Sequence, residues 1–257
     1  MNQPIKEERL AVVTGGGRGI GEAVCRQLAK QGLRIAVADI HGDNAQRVAR
    51  DLGAGHAGYS VDVSDEKAVQ SLFTQVESAQ GPVAVLVCAA GLLILPGGDR
   101  PLIKDLDLDT WERSFAVNTR GAFLCSREYL RRREAAPLAG GRVVFFGSVA
   151  AQLGGYRSSA AYIGAKAAVL GYAKAFARES AHLGITANAI APGLIDTDML
   201  RSTVSSSGAL AASAQNIPLG RIGAPDDVAS AIAYLVSPAA SYITGNVIDV
   251  NGGYRMQ

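Results

Sequence analysis

Residues 10–21 read Leu-Ala-Val-Val-Thr-Gly-Gly-Gly-Arg-Gly-Ile-Gly, LAVVTGGGRGIG, and this stretch decides the fold. Leu10 to Val13 is a short apolar run rich in β-branched residues, five glycines follow, and residues 22–31 are amphipathic, so the predicted order is strand, glycine turn, helix. Glycine is needed where φ is positive or where backbone must approach a ligand without a Cβ, and the free N–H groups of a helix start favour a pyrophosphate. The spacing is Gly15-x-x-x-Gly19-x-Gly21, distinct from the G-x-G-x-x-G dinucleotide fingerprint. A glycine-rich turn with no ligand shows the same local pattern, so the rest of the chain has to decide.

Strand signals recur with helices between them. Residues 34–39 (RIAVAD) form a second apolar run ending in Asp39, and residues 43–52 read as a helix capped by Asp43. Asp39 stands about 20 residues beyond the glycines, where a carboxylate accepts from adenosine ribose hydroxyls; it disfavours a 2′-phosphate, which Arg18 in the turn partly offsets. The competing reading has Asp39 merely capping the turn before His41. Residues 57–62 and 82–88 are further strands, and Asp62 is placed to bond an adenine amino group. A helix is expected over 64–79, and Ala89-Ala90-Gly91 lets backbone pass close to a bound ribose. A long helix over 110–133, capped by Asp109, carries Asn118, and the strand 142–147 ends at Ser148. Continuous apolar strands alternating with helices imply an α/β fold, a Rossmann-type doubly wound parallel sheet with helices on both faces, in one domain spanning 1–257. Ligands of such sheets lie beyond the strands' carboxyl ends, where Asp39, Asp62, Gly91 and Ser148 all fall.

Composition narrows the partners. The net charge of +2 argues for neither nucleic acid nor an anionic membrane surface. No apolar run reaches the length of a transmembrane helix and the first nine residues lack a secretory apolar region, so a cytoplasmic protein is expected. Cys25, Cys88 and Cys125 lack metal-ligand spacing and read as reduced, buried thiols; with His41, His56 and His182 the only histidines, no metal site is expected.

The chemistry concentrates on the helix predicted over 159–182, where Tyr162 and Lys166 lie four residues apart on one face. An ammonium beside a phenol favours the phenolate, so Lys166 is expected to bring Tyr162 toward proton exchange nearer neutral pH, with Ser148 hydrogen-bonding the reacting oxygen. Tyr and Lys at this spacing are also common on ordinary helices.

Together these features resemble the single-domain branch of the short-chain dehydrogenase/reductase family from about Leu10 to Gly253. Thr14-Gly15-x-x-x-Gly19-x-Gly21 resembles its cofactor turn, Asp62-Val63 its adenine site, Asn118-x-x-Gly121 its helix asparagine, and Ser148, Tyr162 and Lys166 its catalytic set. Pro192-Gly193 with Thr197 resembles its nicotinamide-side loop, and Tyr242-Ile-Thr244-Gly245 with Gly252-Gly253 its closing strand. The resemblance implies that Asn118 holds a water in a proton relay with Lys166, that Lys166 also binds the nicotinamide ribose, and that Thr197 binds the carboxamide. The implied cofactor is NAD, contacted by Gly15, Arg18, Gly19, Ile20, Gly21, Asp39, Asp62, Val63, Ala90, Gly91, Tyr162, Lys166, Pro192, Gly193, Ile195 and Thr197. A homotetramer is implied too, supported by the apolar character of 110–133, 159–182 and 243–254. Two departures stand out: Cys88-Ala89-Ala90-Gly91 replaces the family's Asn-Asn-Ala-Gly, and the Ser148–Tyr162 interval is slightly long, enlarging the loop 149–161.

The resulting expectation is an NAD(H)-dependent oxidoreductase interconverting a secondary alcohol and a ketone on a polar small molecule. A 3-oxoacyl-thioester reductase is the alternative within enzymes, and a non-catalytic NAD-binding regulator the alternative outside them. Polarity is read from Gln152 and Arg157 in the loop and from Arg201 in a flexible Ser- and Ala-rich lid expected over 194–215.

Overall fold

The buried strand β1, Leu10–Thr14, runs directly into α1, Gly19–Lys30, in the computed structural model, which describes residues 9–155, 157–203 and 207–256. Residues 1–8, Tyr156 in the expected substrate loop and residues 204–206 in the expected lid lie outside the described residues. The chain continues through β2 (Arg34–Asp39), α2 (Gly42–Leu52), β3 (Ala57–Ser60), α3 (Glu66–Gln80) and β4 (Val83–Cys88). Then come α4 (Leu108–Phe115), a π turn (Ala116–Arg120), α5 (Gly121–Ala135), β5 (Arg142–Phe146), α6 (Val149–Leu153) and α7 (Ala160–Ser180). The last elements are β6 (Thr186–Pro192), α8 (Asp198–Arg201), α9 (Ser207–Ala214), α10 (Pro225–Leu235) and β7 (Val247–Val250).

The seven strands form one parallel sheet in the order β3-β2-β1-β4-β5-β6-β7, with Val13 of β1 in register with Val37 on one side and Val87 on the other. Strand order reverses at β1, so the crevice between the ends of β1 and β4 is the switch point where such sheets take ligands. The strands read as continuous apolar runs because both faces are covered. On one face Val12, Leu86 and Phe145 pack with Phe73 of α3, Tyr129 of α5 and Phe176 of α7. On the other, Val13, Val37 and Val85 pack with Leu28 of α1, Val48 of α2 and Ile232 of α10. Among the described residues no helix is long and apolar enough to cross a membrane.

Helix starts differ from expectation where several capping residues compete. Asp65, not Ser64, caps α3, accepting from the Lys67 and Ala68 N–H groups, because Ser64 is itself held by Asp62. Asp107, not Asp109, caps α4 through the Thr110 N–H at 2.7 Å, and the expected single helix is split by the π turn. Helix α2 begins at Gly42 with no side-chain cap, so Asp43 sits inside its first turn. The loop expected over 149–161 begins as α6, and the described part of the expected lid carries α8 and α9 rather than irregular chain.

Candidate active site

The glycine turn is shaped by what it must touch. A Cβ on Gly21 would lie 2.0 Å from the Gly15 carbonyl oxygen, and one on Gly15 (φ +67°) would lie 2.7 Å from the Cα of Ala90, so the turns after β1 and β4 abut. Ala90 donates its N–H to Thr14 Oγ1 at 3.3 Å across the same crevice. Asp39, 6% exposed at the end of β2, accepts from the Gly17 N–H at 2.9 Å and the His41 N–H at 3.0 Å, one on each carboxylate oxygen. The turn-capping reading therefore describes part of what Asp39 does. A carboxylate offers about four lone-pair sites, so acceptor capacity remains for a pair of hydroxyls. Arg18 is exposed, whereas Arg47, which the sequence reading missed, donates to the Gly17 carbonyl at 3.0 Å and to Glu22 at 2.7 Å. The Arg47 guanidinium, ahead of all other influences, draws the Glu22 carboxyl below its ordinary pKa.

The loop after β6 closes the other side of the crevice. Pro192 is buried at the strand end, and Gly193 donates to the Val250 carbonyl at 2.9 Å. Ile195 is buried, and Thr197 caps α8, its hydroxyl donating to the Ile195 carbonyl at 3.2 Å. Thr197 also faces the glycine turn, since a Cβ on Gly19 would lie 3.5 Å from its Cγ2. Ile20 is half-buried against the core, Val63 is buried against Gly121, and Asp62 is exposed with Oδ1 taken by the N–H and hydroxyl of Ser64.

At the tip of β5, Ser148 caps α6 through the Ala150 N–H at 3.1 Å and is hydrogen-bonded to Tyr162. Ser159 starts α7 by accepting from the Tyr162 N–H, which sets Tyr162 in the first helical turn and Lys166 one turn on. Both are buried, at 8% and 4% exposure. Lys166 Nζ donates to the Phe146 carbonyl at 3.0 Å and lies 5.9 Å from the centre of the Tyr162 ring. Burial pushes the Lys166 pKa down from 10.5 to about 8. It pushes the Tyr162 phenol up, with the Ser148 hydrogen bond opposing. The expected lowering of Tyr162 by Lys166 is thus corrected: the ammonium is aimed at a strand-end carbonyl, and desolvation governs the phenol. Asn118, in the π turn, donates to the Leu92 carbonyl at 2.8 Å and accepts from the Leu92 N–H at 3.1 Å. Its Oδ1 and Lys166 Nζ converge on Gly91, where a Cβ would lie 3.2 and 3.3 Å from them.

These parts fit a dinucleotide: a glycine cradle that Cβ atoms would fill, a helix start for the pyrophosphate, a carboxylate with spare acceptor sites and a Ser-Tyr-Lys set at the far side of the switch point. The enoyl-(acyl carrier protein) reductase family model matches residues 15–255. The chain belongs to the short-chain dehydrogenase/reductase family. It is 40% identical over 250 residues to the 3-oxoacyl-[acyl-carrier-protein] reductase MabA of Mycobacterium tuberculosis H37Rv, covering 96% of this chain and 93% of that one. It is 35% identical over 252 residues to the 3-oxoacyl-[acyl-carrier-protein] reductase FabG of Escherichia coli K12, covering 97% and 98%. A crystal structure of 3-ketoacyl-(acyl-carrier-protein) reductase from Brucella melitensis complexed with NADH superposes with a TM-score of 0.87 at 30% identity, covering 97% of this chain and 99% of that one. As a member of this oxidoreductase family, the chain keeps Ser148, Tyr162 and Lys166 grouped at one end of the sheet.

The three residues expected to bind substrate fare differently. Arg201 on α8 is 64% exposed, with its Nε and Nη2 donating to Asp196 at 2.9 and 3.1 Å. Gln152 donates its Nε2 to Asp249 Oδ1 at 3.0 Å, and Arg255 donates to Asp249 Oδ2 at 2.9 Å, a network between α6, β7 and the C-terminal turn that sequence reading did not find. Arg157 donates Nη2 to Ser213 of α9 at 2.8 Å. Residues 97 and 56 positions apart carry no local signal of such pairing.

Proposed function

We propose that this family member reduces 3-oxoacyl thioesters, carried by an acyl carrier protein or coenzyme A, to 3-hydroxyacyl thioesters with NADH. Full-length similarity to proteins named as 3-oxoacyl-[acyl-carrier-protein] reductases carries this reading over a general polar alcohol dehydrogenase. One of the groups that suggested a polar alcohol, the Gln152 amide N–H, is held by Asp249, which weakens that rival. The intact Ser148, Tyr162 and Lys166 weigh against a non-catalytic regulator.

In this reading Gly15, Gly19 and Gly21 hold the pyrophosphate, Asp39 the adenosine ribose, Asp62 and Val63 the adenine, and Thr197 the carboxamide. Reduced nicotinamide supplies the hydride when bound. Ser148 donates a hydrogen bond to the 3-oxo oxygen. Tyr162, kept protonated because burial raises its pKa, gives that oxygen its proton, so one hydride and one proton turn the ketone into the alcohol. Lys166 supplies positive charge beneath Tyr162 and contacts the nicotinamide ribose, and Asn118 fixes the Gly91-Leu92 backbone against which that ribose lies. The chain acts as one domain in a homotetramer, with the exposed Trp111 and Phe123 of α4 and α5 at subunit contacts.

The test is loss of reduced-nicotinamide absorbance on mixing the purified protein with NADH and acetoacetyl-CoA or an acetoacetyl acyl carrier protein. Turnover of the thioesters well above that of simple ketones supports the reading. Faster turnover of a small polar ketone returns the assignment to the alcohol dehydrogenase, and no turnover of any carbonyl substrate favours the regulator.

A further inference from the structure

The segment joining Ser148 to Tyr162 carries one charge that the protein leaves uncompensated. Arg157 stands two residues before the helix cap Ser159 and five before Tyr162. The segment is folded back on the catalytic elements, since a Cβ on Gly155 would lie 3.1 Å from Ala150 Cβ and 3.3 Å from Ile163 Cδ1. Arg157 Nη2 meets the hydroxyl of Ser213, which is itself 5% exposed, and Nη1 is buried with no partner among the described residues. Among the described residues no carboxylate lies within ion-pair distance of it.

Arg133, more deeply buried than the half-buried Arg157, is paired with Glu77, and Arg201 and Arg221, both exposed, are paired with Asp196 and Asp227. Arg157 shares with Arg9 and Arg142, which donate only to backbone carbonyls at the opposite end of the sheet, the lack of a carboxylate among the described residues, and of the three it alone lies between Ser148 and Tyr162. A partly buried cation without an anion carries a desolvation cost that a bound anion would relieve. Gln152 adds an acceptor in the same segment: with its N–H spent on Asp249, its Oε1 is buried and unpartnered.

We infer that Arg157 is a specificity-determining residue that reads an oxyanion, carboxylate or phosphate, carried by the substrate away from the reacting carbonyl. The anion meets the guanidinium, with Ser213 retained as the hydroxyl that aims the fork. This inference rests on the oxidoreductase reading above, because it assigns the space between α7 and α9 to substrate. The phosphates of a pantetheine-bearing thiol and a carboxylate on the acyl chain present the same chemistry to Arg157.

The experiment compares wild type, Arg157→Ala and Arg157→Lys on three ketones: the uncharged acetoacetyl N-acetylcysteamine thioester, acetoacetyl-CoA, and an N-acetylcysteamine thioester of a 3-oxo acid bearing a terminal carboxylate. Arg157→Ala is expected to lower kcat/KM for one charged substrate about ten- to a hundredfold more than for the uncharged one, chiefly through KM, with partial recovery in Arg157→Lys. The charged substrate affected identifies the source of the anion. Equal losses on all three, or none, overturn the inference. Calorimetric titration of coenzyme A and of adipate into both proteins gives a readout independent of turnover. If neither anion binds wild type more tightly than Arg157→Ala, the anion site does not exist. If that difference persists while no ketone is reduced, the anion site stands and the reductase reading falls.

Discussion

Lys166 Nζ donates to the carbonyl oxygen of Phe146, 20 residues upstream at the end of β5, at 3.0 Å. That contact ties α7, which carries Tyr162, to the strand that delivers Ser148, and it places the ammonium over the Tyr162 ring. The charge is expensive where it sits. A pKa lowered from 10.5 to about 8 by burial corresponds to about 3 kcal/mol by which the fold disfavours the ammonium.

The sign of the resulting pH effect follows from linkage. The folded-state pKa lies below the unfolded one, so the destabilisation is fully present below about pH 8 and is relieved as pH rises toward 10.5. Lys166→Met removes the charge and leaves the Phe146 carbonyl without its donor, a loss of about 1 kcal/mol. The variant is expected to be more stable than wild type by about 2 kcal/mol at neutral pH, with the gain shrinking near pH 10, and to be inactive. Urea unfolding at both pH values checks it, and a variant less stable at neutral pH refutes the assignment of strain to Lys166.

Tyr162→Phe is expected to lower kcat by about a hundredfold or more while leaving NADH binding and thermal stability near wild type, since in the proposed mechanism the hydroxyl transfers the proton. Because burial raises the phenol's pKa, reduction should show no loss of activity from Tyr162 ionisation below its ordinary value of 10. The decline on the alkaline side should instead begin near pH 8, as Lys166 loses its proton. A kcat profile for reduction that rises through pH 8 contradicts both assignments.

Asp39 is expected to select NADH over NADPH. Its carboxylate already binds the Gly17 and His41 N–H groups, and a 2′-phosphate brought to its remaining lone pairs meets a like charge in a buried setting. Asp39→Ala should narrow the preference by about 1–3 kcal/mol in kcat/KM. It should also cost stability, because two backbone donors lose their acceptor. A wild-type preference for NADPH transfers the selection to Arg18.

The central strands β1, β2, β4 and β5 were legible because they are buried apolar runs, and Arg34–Asp39 matches the sequence reading residue for residue, with a glycine turn before it and an acid as its last residue; β6, equally buried, was not read as a strand. Helix starts were not legible, since neighbouring side chains such as Asp107 and Asp109, or Ser64 and Asp65, are equally good caps until the backbone chooses between them. Helices of four or five residues, α6 and α8, are too short to leave a periodic signal. Ser148, Tyr162 and Lys166 were singled out by residue type and spacing together with the family resemblance, and the fold brings them to one end of the sheet. The Arg47–Glu22 clasp and the Gln152–Asp249–Arg255 network were not, because charge pairing across 25 to 97 residues depends on where the elements dock.

That second network yields a charge-sign prediction. Gln152→Glu sets a carboxylate against Asp249, where the amide now donates at 3.0 Å, with Arg255 only partly compensating. At neutral pH it should be less stable than Gln152→Ala, and the order should converge in acid as the carboxylates protonate. Thermal unfolding of both variants across pH measures this. A Glu variant at least as stable as the Ala variant at neutral pH shows that the pair separates freely and that Asp249 does not anchor α6.

Gly19 and Gly21 separate the two demands placed on the turn. At Gly21 an added methyl falls 2.0 Å from a backbone oxygen, which no side-chain rotation relieves, so Gly21→Ala must push α1 away from β1 and disturb packing around the buried Val24 and Leu28. At Gly19 the methyl meets only Thr197 Cγ2 at 3.5 Å, an ordinary contact, and the cost is that of φ +55° in a residue with a Cβ. Gly19→Ala should therefore lose about 1 kcal/mol of stability, whereas Gly21→Ala should lose about 3 kcal/mol or more. Cofactor affinity should fall in both, and in Gly19→Ala the fall should exceed anything its stability loss explains, because the methyl projects into the gap between the turn and Thr197. Chemical denaturation paired with NADH titration distinguishes the cases. If Gly19→Ala binds NADH as wild type does, the pyrophosphate does not lie against this turn, and the cofactor placement argued from Gly15, Gly19 and Gly21 is wrong.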